Sequence, residues 1–475
     1  MNTQGTQGTQ GPELVRILGR GDVLAVAFGA MIGFGWIVLT GDFLSGAGTF
    51  GAALAFVIGG FVIAMVGLTY AELVSAMPHA GGEHNYVLRA IGSRAAFVTS
   101  WALVLGYVTV VAFEAVALPQ TMLYLFPDML AGRMWSVAGY DVYATWTAVG
   151  VVSAVVMTAL NYVGVRPSAV FQMIAVLFLA AVGVVLLVGA FIGGDPQNMQ
   201  PLFTGGAAGI ITVVASTPFL FVGFDVIPQS AEEVNLPFRQ IGQLLIVSVG
   251  LAVLWYVVIM LTVGSAAPAD VLAQSELAAA DGMGRLWDSD AMATLLVLGG
   301  IAGILTSWNG FLIGASRLVY AMGQTAMLPR WFAKVHPRYR TPSNALLFIG
   351  ALSVLAPLFG EAMLTTLVTA GGLSLVIAYF MVATSFVLLR VREPGMDRPF
   401  RLSGGMVIGP LAALLSLGLA LLYLPLPGVP APLGATEWVI LGAWALLGLV
   451  FFARVPHEGP GPDSLARMEA KAAGR

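Results

Sequence analysis

The sequence predicts an all-α integral membrane protein of twelve transmembrane helices, and three observations carry that prediction. The first is composition. Apolar residues fill 58% of the 475 positions, 58 glycines come in addition, and charged residues make up 9%. Soluble globular chains carry about 25% charged residues, so 21 Lys and Arg with 24 Asp and Glu could not clothe a water-facing surface of this size. The second is the recurrence of apolar stretches of about 20 residues, each long enough to cross the hydrocarbon core. The third is the placement of the basic residues, which alternate from one side of the stretches to the other.

Taken in order, the spans read 22–46, 50–75, 95–125, 141–163, 167–193, 207–230, 240–264, 291–322, 343–360, 363–390, 405–426 and 436–453. Span 1 follows Asp22 and has Gly29, Gly33 and Gly35 at its middle; span 2 carries the pair Gly59 and Gly60, which suits close helix packing. Span 3 holds Glu114 and Pro119, span 5 holds no lysine, span 6 is interrupted by Pro218, Gly223 and Pro228, and span 8 has Thr306 and Ser307 near its centre. All Lys and Arg except Arg133 and Arg285 lie on one side when the loops are assigned alternately. By the positive-inside rule that side is cytoplasmic, and so are both termini. One missed span would scramble every later loop, so the alternation also supports the helix count. The protein is expected in the inner or plasma membrane, with the lipid bilayer as its surroundings.

Several classes drop out. The longest hydrophilic pieces, about 265–290 and the tail from Arg454, are too short for a catalytic domain, which argues against an enzyme. There are no cysteines, so disulfides and thiolate-bound metals are excluded. His79, His84, His336 and His457 lie near or outside span ends, so no buried histidine relay and no zinc motif is expected. No cofactor, metal or nucleic-acid partner is expected. The opening MNTQGTQGTQGPE is a polar tail without a basic region or adjoining apolar stretch, so a cleaved signal peptide is not expected.

Glycine and proline weaken a helix, and they cluster in the first members of two five-helix blocks, spans 1–5 and 6–10. An odd number of helices per block inverts the second relative to the first. Interrupted helices at matching positions of two inverted halves point to a transport site at the midplane. The predicted parts are a cytoplasmic tail (1–20), a first repeat (21–195), a second repeat (205–392), two further helices (403–453) and a cytoplasmic tail (454–475).

At these residues the chain resembles the amino acid–polyamine–organocation permeases. The resemblance rests on 29–36 (GAMIGFGW), 71–93 (AELVSAMPHAGGEHNYVLRAIGS), 221–237 (FVGFDVIPQSAEEVNLP) and 316–338 (SRLVYAMGQTAMLPRWFAKVHPR), four motifs in order across residues 20–400. It implies the leucine-transporter fold, five plus five inverted helices with two more at the C-terminus, working by alternating access.

The break in span 1, Ile32, Gly33, Phe34 and Gly35, exposes backbone N–H groups at the positive end of a half-helix, a suitable seat for a substrate carboxylate. The resemblance implies that use; it also marks Phe34 as a departure, since many relatives carry a small residue there. The outer half of span 6 ends near Phe219, Phe221, Val222 and Gly223, whose free carbonyls suit a substrate ammonium. The resemblance makes Phe219 and Phe311 gating aromatics, with Trp308 and Asn309 as alternatives to Phe311. For Phe219, Phe221 and Phe224 the competing reading is packing.

A charge at the depth of Glu114 costs about 2.5–3.5 kcal/mol or more, so it should face the interior. It either contacts substrate or a proton, favouring a second positive group on the ligand, or bridges helices. Asp225 is either a helix N-cap or, by the resemblance, a protonatable gate. Glu72, Glu232 and Glu233 are expected to pair with nearby arginines. Thr306 and Ser307 resemble the sodium site of the fold, oxygen ligands suiting a hard cation; otherwise they bond within the membrane. Some proton-coupled relatives place a lysine in span 5, where this chain aligns Leu179, so Asp225 and Glu114 are the proton candidates. The expectation is a proton-coupled permease for amino acids or related amines with a cationic preference. The alternatives are a polyamine or ethanolamine-like amine transporter, sodium coupling, exchange, and, in another class, a channel or nutrient receptor.

Overall fold

The computed structural model describes residues 14–33, 35–425 and 433–473. Phe34, the first thirteen residues of the N-terminal tail, Leu426 at the expected end of span 11, and Arg475 lie outside the described residues.

Span 1 is three pieces: α1 (Arg20–Met31), α2 (Gly35–Val38) and α3 (Thr40–Ala47). Span 2 is α4 (Thr49–Ala76), and the following loop folds into α5 (Glu83–Ala90). Span 3 is α6 (Ser93–Leu125). A hairpin of β1 (Arg133–Val137) and β2 (Tyr140–Tyr143) then precedes α7 (Ala144–Val163), so span 4 begins three residues later than expected. Ala138 and Gly139, both at positive φ (49° and 90°), make the two-residue turn that matches strand twist, and Arg133 closes on Asp141 at 2.8 Å.

Span 5 is α8 (Val165–Gly193), and span 6 is α9 (Gly206–Phe221) followed by α10 (Val226–Gln229). Then come α11 (Phe238–Gly264), α12 (Ala269–Leu272), α13 (Ala278–Trp287), α14 (Asp290–Gln324), α15 (Ser343–Leu355), α16 (Met363–Arg392), α17 (Gly405–Leu421), α18 (Ala435–Phe452) and α19 (Ser464–Ala473). Among the described residues nine helices are long and apolar enough to cross a membrane, counting α9 and α10 as one, and residues 343–359 and 405–421 form shorter apolar helices. The all-α membrane fold is therefore as the sequence predicts. The segment 265–290 and the C-terminal tail, read only as hydrophilic pieces, contribute α12, α13 and α19.

The helices sort into two sets. In one, α4 packs along α11 and α9, and α1 lies against α11 and α10. In the other, α6 packs along α14, α15 and α7. The sets meet where α1 crosses α14 and α8, and α16 lies between them, touching α6, α4 and α9. Gly448 is the one buried residue among those described in α18, which lies at the periphery.

Candidate functional site

The two interruptions form where the sequence removes the helix ladder. α1 stops at Met31, with Ile32 at φ −110° and ψ 63°, and the chain resumes as helix at Gly35. α9 stops at Phe221; Val222 is extended and Gly223 sits at φ 133°. That φ favours glycine, and space demands it too: a Cβ on Gly223 would lie 2.8 Å from the Ala30 carbonyl carbon and the Met31 nitrogen. The two breaks therefore touch, backbone to backbone.

Beside this contact lies a small cavity of about 20 Å³, room for about one water, lined by Ala30, Met31, Gly33 and Gly35 from span 1, Phe219 and Leu220 from α9, Tyr256 from α11 and Glu114 from α6, with Val110, Phe113, Ser307 and Phe311 completing the wall. Gly33 faces Glu114 and Ser307 so closely that a Cβ there would collide with the Glu114 carboxylate and stand 2.9 Å from the Ser307 Oγ. Glu114 is buried. Pro119 frees the Ala115 carbonyl one residue on, and that carbonyl looks toward Gly150 of α7. Of the residues singled out from sequence, Gly33, Gly35, Glu114, Phe219, Ser307 and Phe311 meet at one place.

Four of the residues expected to contact substrate do not reach the cavity. Ile32 is buried with its carbonyl directed at Gly303 of α14. Phe221 packs edge-on against Phe56 and Tyr256. Val222 is buried core, and Gly223 is taken up by the contact with α1. For Phe221 the physical reason is helical spacing: residues two apart on a helix point to opposite sides, so Phe219 and Phe221 cannot both face one cavity.

Tyr256, which sequence reading missed, is central. Its hydroxyl lies 3.1 Å from the Met31 carbonyl and 3.2 Å from the Leu220 carbonyl, one acceptor from each interrupted helix. Its ring stacks on Phe56 with 4.8 Å between centroids. Gln172 of α8 is a second missed residue. Its amide nitrogen donates to the carbonyls of Ala25 (3.2 Å) and Thr306 (3.1 Å), and its oxygen accepts from Asn309 (2.8 Å). Leu179, aligned with the lysine of some relatives, is a buried apolar residue. Thr306 and Ser307 diverge: Thr306 turns its hydroxyl to the Gly29 and Gly303 carbonyls, whereas Ser307 lines the cavity. Trp308 and Asn309 are buried away from the cavity wall.

Asp225 occupies the N-cap position of α10, but its side chain does not cap the helix; its Oδ1 accepts from the Gly223 N–H at 2.9 Å. On the arginine-rich face, Glu233 and Arg317 form a bidentate pair (2.8 and 3.1 Å), both almost fully buried. Glu72 binds Arg390 and, at 3.0 Å, Arg398, and Glu232 approaches His79 at 3.7 Å. His84 lies beyond the end of span 2, as expected, yet it is not solvent-facing. It is fully buried, its ring nitrogens 2.9 Å from Ser100 Oγ and 3.0 Å from Thr325 Oγ1, and burial holds the imidazole down at about 4. Toward the opposite face the cavity is roofed by Phe113 and Phe219, edge to face at 5.5 Å. Beyond them opens a vestibule of about 400 Å³ carrying Asp42 and Glu361. Burial and nearby Glu276 raise the Glu361 carboxyl above its usual range.

Two interrupted helices meeting at an acid-bearing cavity, inside a body of membrane-crossing helices, define a membrane transporter. The chain belongs to the amino acid permease family, which it matches over residues 18–452. It is 28% identical over 457 residues to the branched-chain amino acid permease BcaP of Bacillus subtilis, covering 92% of each chain. It is 28% identical over 412 residues to the aspartate-proton symporter of the same organism, covering 82% of this chain and 76% of that one. With cationic amino acid transporter 7, chloroplastic, of Arabidopsis thaliana it shares 25% identity over 469 residues, 95% and 78% of the two chains.

Proposed function

We propose that this protein is a secondary transporter that carries amino acids or related organic amines by alternating access, coupled to protons and with a preference for cationic ligands. The observation that carries the reading is Glu114, a carboxylate in the wall of a cavity built where both helix breaks meet. A ligand carboxylate would take the N–H groups around Gly33 and Gly35, its ammonium the carbonyls at the end of α9, and a second cationic group Glu114. Relatives named for cationic amino acids and for aspartate–proton symport support the substrate class and the ion. Protons are favoured over sodium because the Gln172 amide already donates to the carbonyls of Ala25 and Thr306, and because Thr306 and Ser307 do not face a common point.

Spans 1 and 2 pack with spans 6 and 7, and span 3 packs along spans 8 and 4, the pairing that two inverted repeats (21–195 and 205–392) with two added helices (403–453) would produce. In this reading the arginine-rich face and both termini are cytoplasmic and the protein sits in the inner or plasma membrane. The test is counterflow in liposomes with labelled amino acids and their decarboxylated amines, repeated under proton and sodium gradients. Saturable exchange of a cationic amino acid, stimulated by an inward proton gradient and indifferent to sodium, is expected. Competition by amines alone would make this an amine transporter. Loss of stimulation in Thr306→Val with Ser307→Ala, together with sodium dependence, would overturn the choice of ion. Flux without saturation or exchange would mean a channel, and no flux a receptor.

A further inference from the structure

Between the cavity and the arginine-rich face, five elements converge on a second polar cluster. α4 brings Tyr70, α5 brings Glu83 and Tyr86, α6 brings Tyr107, the second half of span 6 brings Asp225 and Gln229, and α16 brings Tyr379. Among these, only Glu83 and Asp225 carry charge when ionised near neutral pH, and both are fully buried. The side-chain amide of Gln229 donates to Glu83 Oε2, and the Gly223 N–H donates to Asp225 Oδ1 at 2.9 Å. The other oxygen of each carboxylate, Glu83 Oε1 and Asp225 Oδ2, is buried without a hydrogen bond. The hydroxyls of Tyr70 and Tyr107 face Glu83 and Asp225 without reaching full bonding geometry.

The cluster lacks positive charge. Neither carboxylate has an ion pair among the described residues. Arg317 is held by Glu233, Arg89 by Glu393, and His84, next in sequence to Glu83, turns to Ser100 and Thr325. Phenols and amides supply dipoles, which do not neutralise two charges withdrawn from water. Burial, reinforced by the charge of Asp225, pushes the Glu83 carboxyl well above the usual carboxylate range.

We propose that Glu83 and Asp225 together form a proton-binding site at the inner gate, distinct from the cavity, in which Glu83 is a required partner of Asp225. A proton arriving as hydronium forms an O–H bond to one carboxylate and leaves water behind; it departs to water when α5 and α10 separate. The site is linked to the ligand in two ways. Asp225 lies in the break that touches α1 through Gly223, and the Tyr107 ring packs on Phe311 of the cavity wall, with 5.5 Å between centroids. The inference rests on the proton-coupled reading above and adds to it the residue on α5.

The test uses the full-length protein in liposomes with an entrapped pH dye, and an equimolar mixture of the common amino acids as the probe. Wild type acidifies the lumen when the mixture is added outside. Glu83→Gln is expected to slow that acidification at least tenfold while labelled counterflow of the same mixture continues, and Glu83→Asp to restore part of it. If Glu83→Gln is not recovered folded, Asp225→Asn carries the same expectation. Acidification by Glu83→Gln at the wild-type rate would overturn the site while leaving proton coupling intact. Counterflow by wild type without any acidification would overturn proton coupling itself, and the site with it.

Discussion

At the scale of single residues, Glu114 was the most legible feature of the site. A carboxylate inside an apolar span is costly, so it must have an interior use, and it does line the cavity. Removing its charge without changing its shape gives a direct prediction. Glu114→Gln should weaken uptake of cationic amino acids about tenfold or more, in line with the ~1.5–3 kcal/mol of a hydrogen bond to a charged group. Neutral amino acids should change much less, and competition assays with lysine and isoleucine would show it. Equal losses for both would assign Glu114 to a structural or proton role instead. Tyr256, Gln172 and Glu83 were not legible. A tyrosine or glutamine in an apolar span costs little, and a glutamate in a short polar loop reads as solvated. Their roles come from partners 36 to 225 residues away in sequence, such as Ala25, Met31, Leu220 and Gln229.

At the scale of elements, the interruptions of spans 1 and 6 could be read from glycine and proline, because those residues act locally. Which face of each helix meets the cavity could not. α4, α6 and α16 are apolar on every side, with no amphipathic stripe to orient them, and the same ambiguity put Phe221 and Phe219 on one side. The hairpin of β1 and β2 escaped notice because a run such as Asp141-Val142-Tyr143 suits a strand or a helix start equally. The contact between the breaks is testable at this scale. Gly223→Ala adds a Cβ where φ is 133° and the backbone of α1 stands 2.8 Å away. Sparse backbone conformations cost about 1–3 kcal/mol, so the melting temperature in detergent should fall and transport should be lost. A variant with wild-type melting and uptake would show that the two breaks do not depend on close contact.

At the scale of the whole molecule, the scarcity of charge was informative twice. It required a membrane, and the positions of the basic residues supported the number of crossings. The structure adds that several of those arginines tie the arginine-rich face together. Arg317 joins the end of α14 to the segment after α10, Arg390 and Arg398 hold Glu72 of α4, and Arg89 of α5 meets Glu393 beyond α16. The pair of Arg317 and Glu233 is the most deeply buried, at 1% and 0% side-chain exposure. Leaving one member of a buried pair alone costs about 3–5 kcal/mol. Arg317→Gln should therefore lower the melting temperature sharply, and adding Glu233→Gln should recover part of the loss. A double variant as unstable as the single one would mean that the arginine acts through packing rather than charge.

The hydroxyl of Tyr256 has one hydrogen and two carbonyls to serve, one from each interrupted helix. It can donate fully to only one of them at a time, so the two interrupted helices share a single hydroxyl hydrogen. An ammonium brings three donors and a charge, and it can settle both carbonyls where the tyrosine can settle one. In the proposed reading an amine therefore answers both interrupted helices together, whereas a neutral hydroxyl compound repeats what the tyrosine already offers.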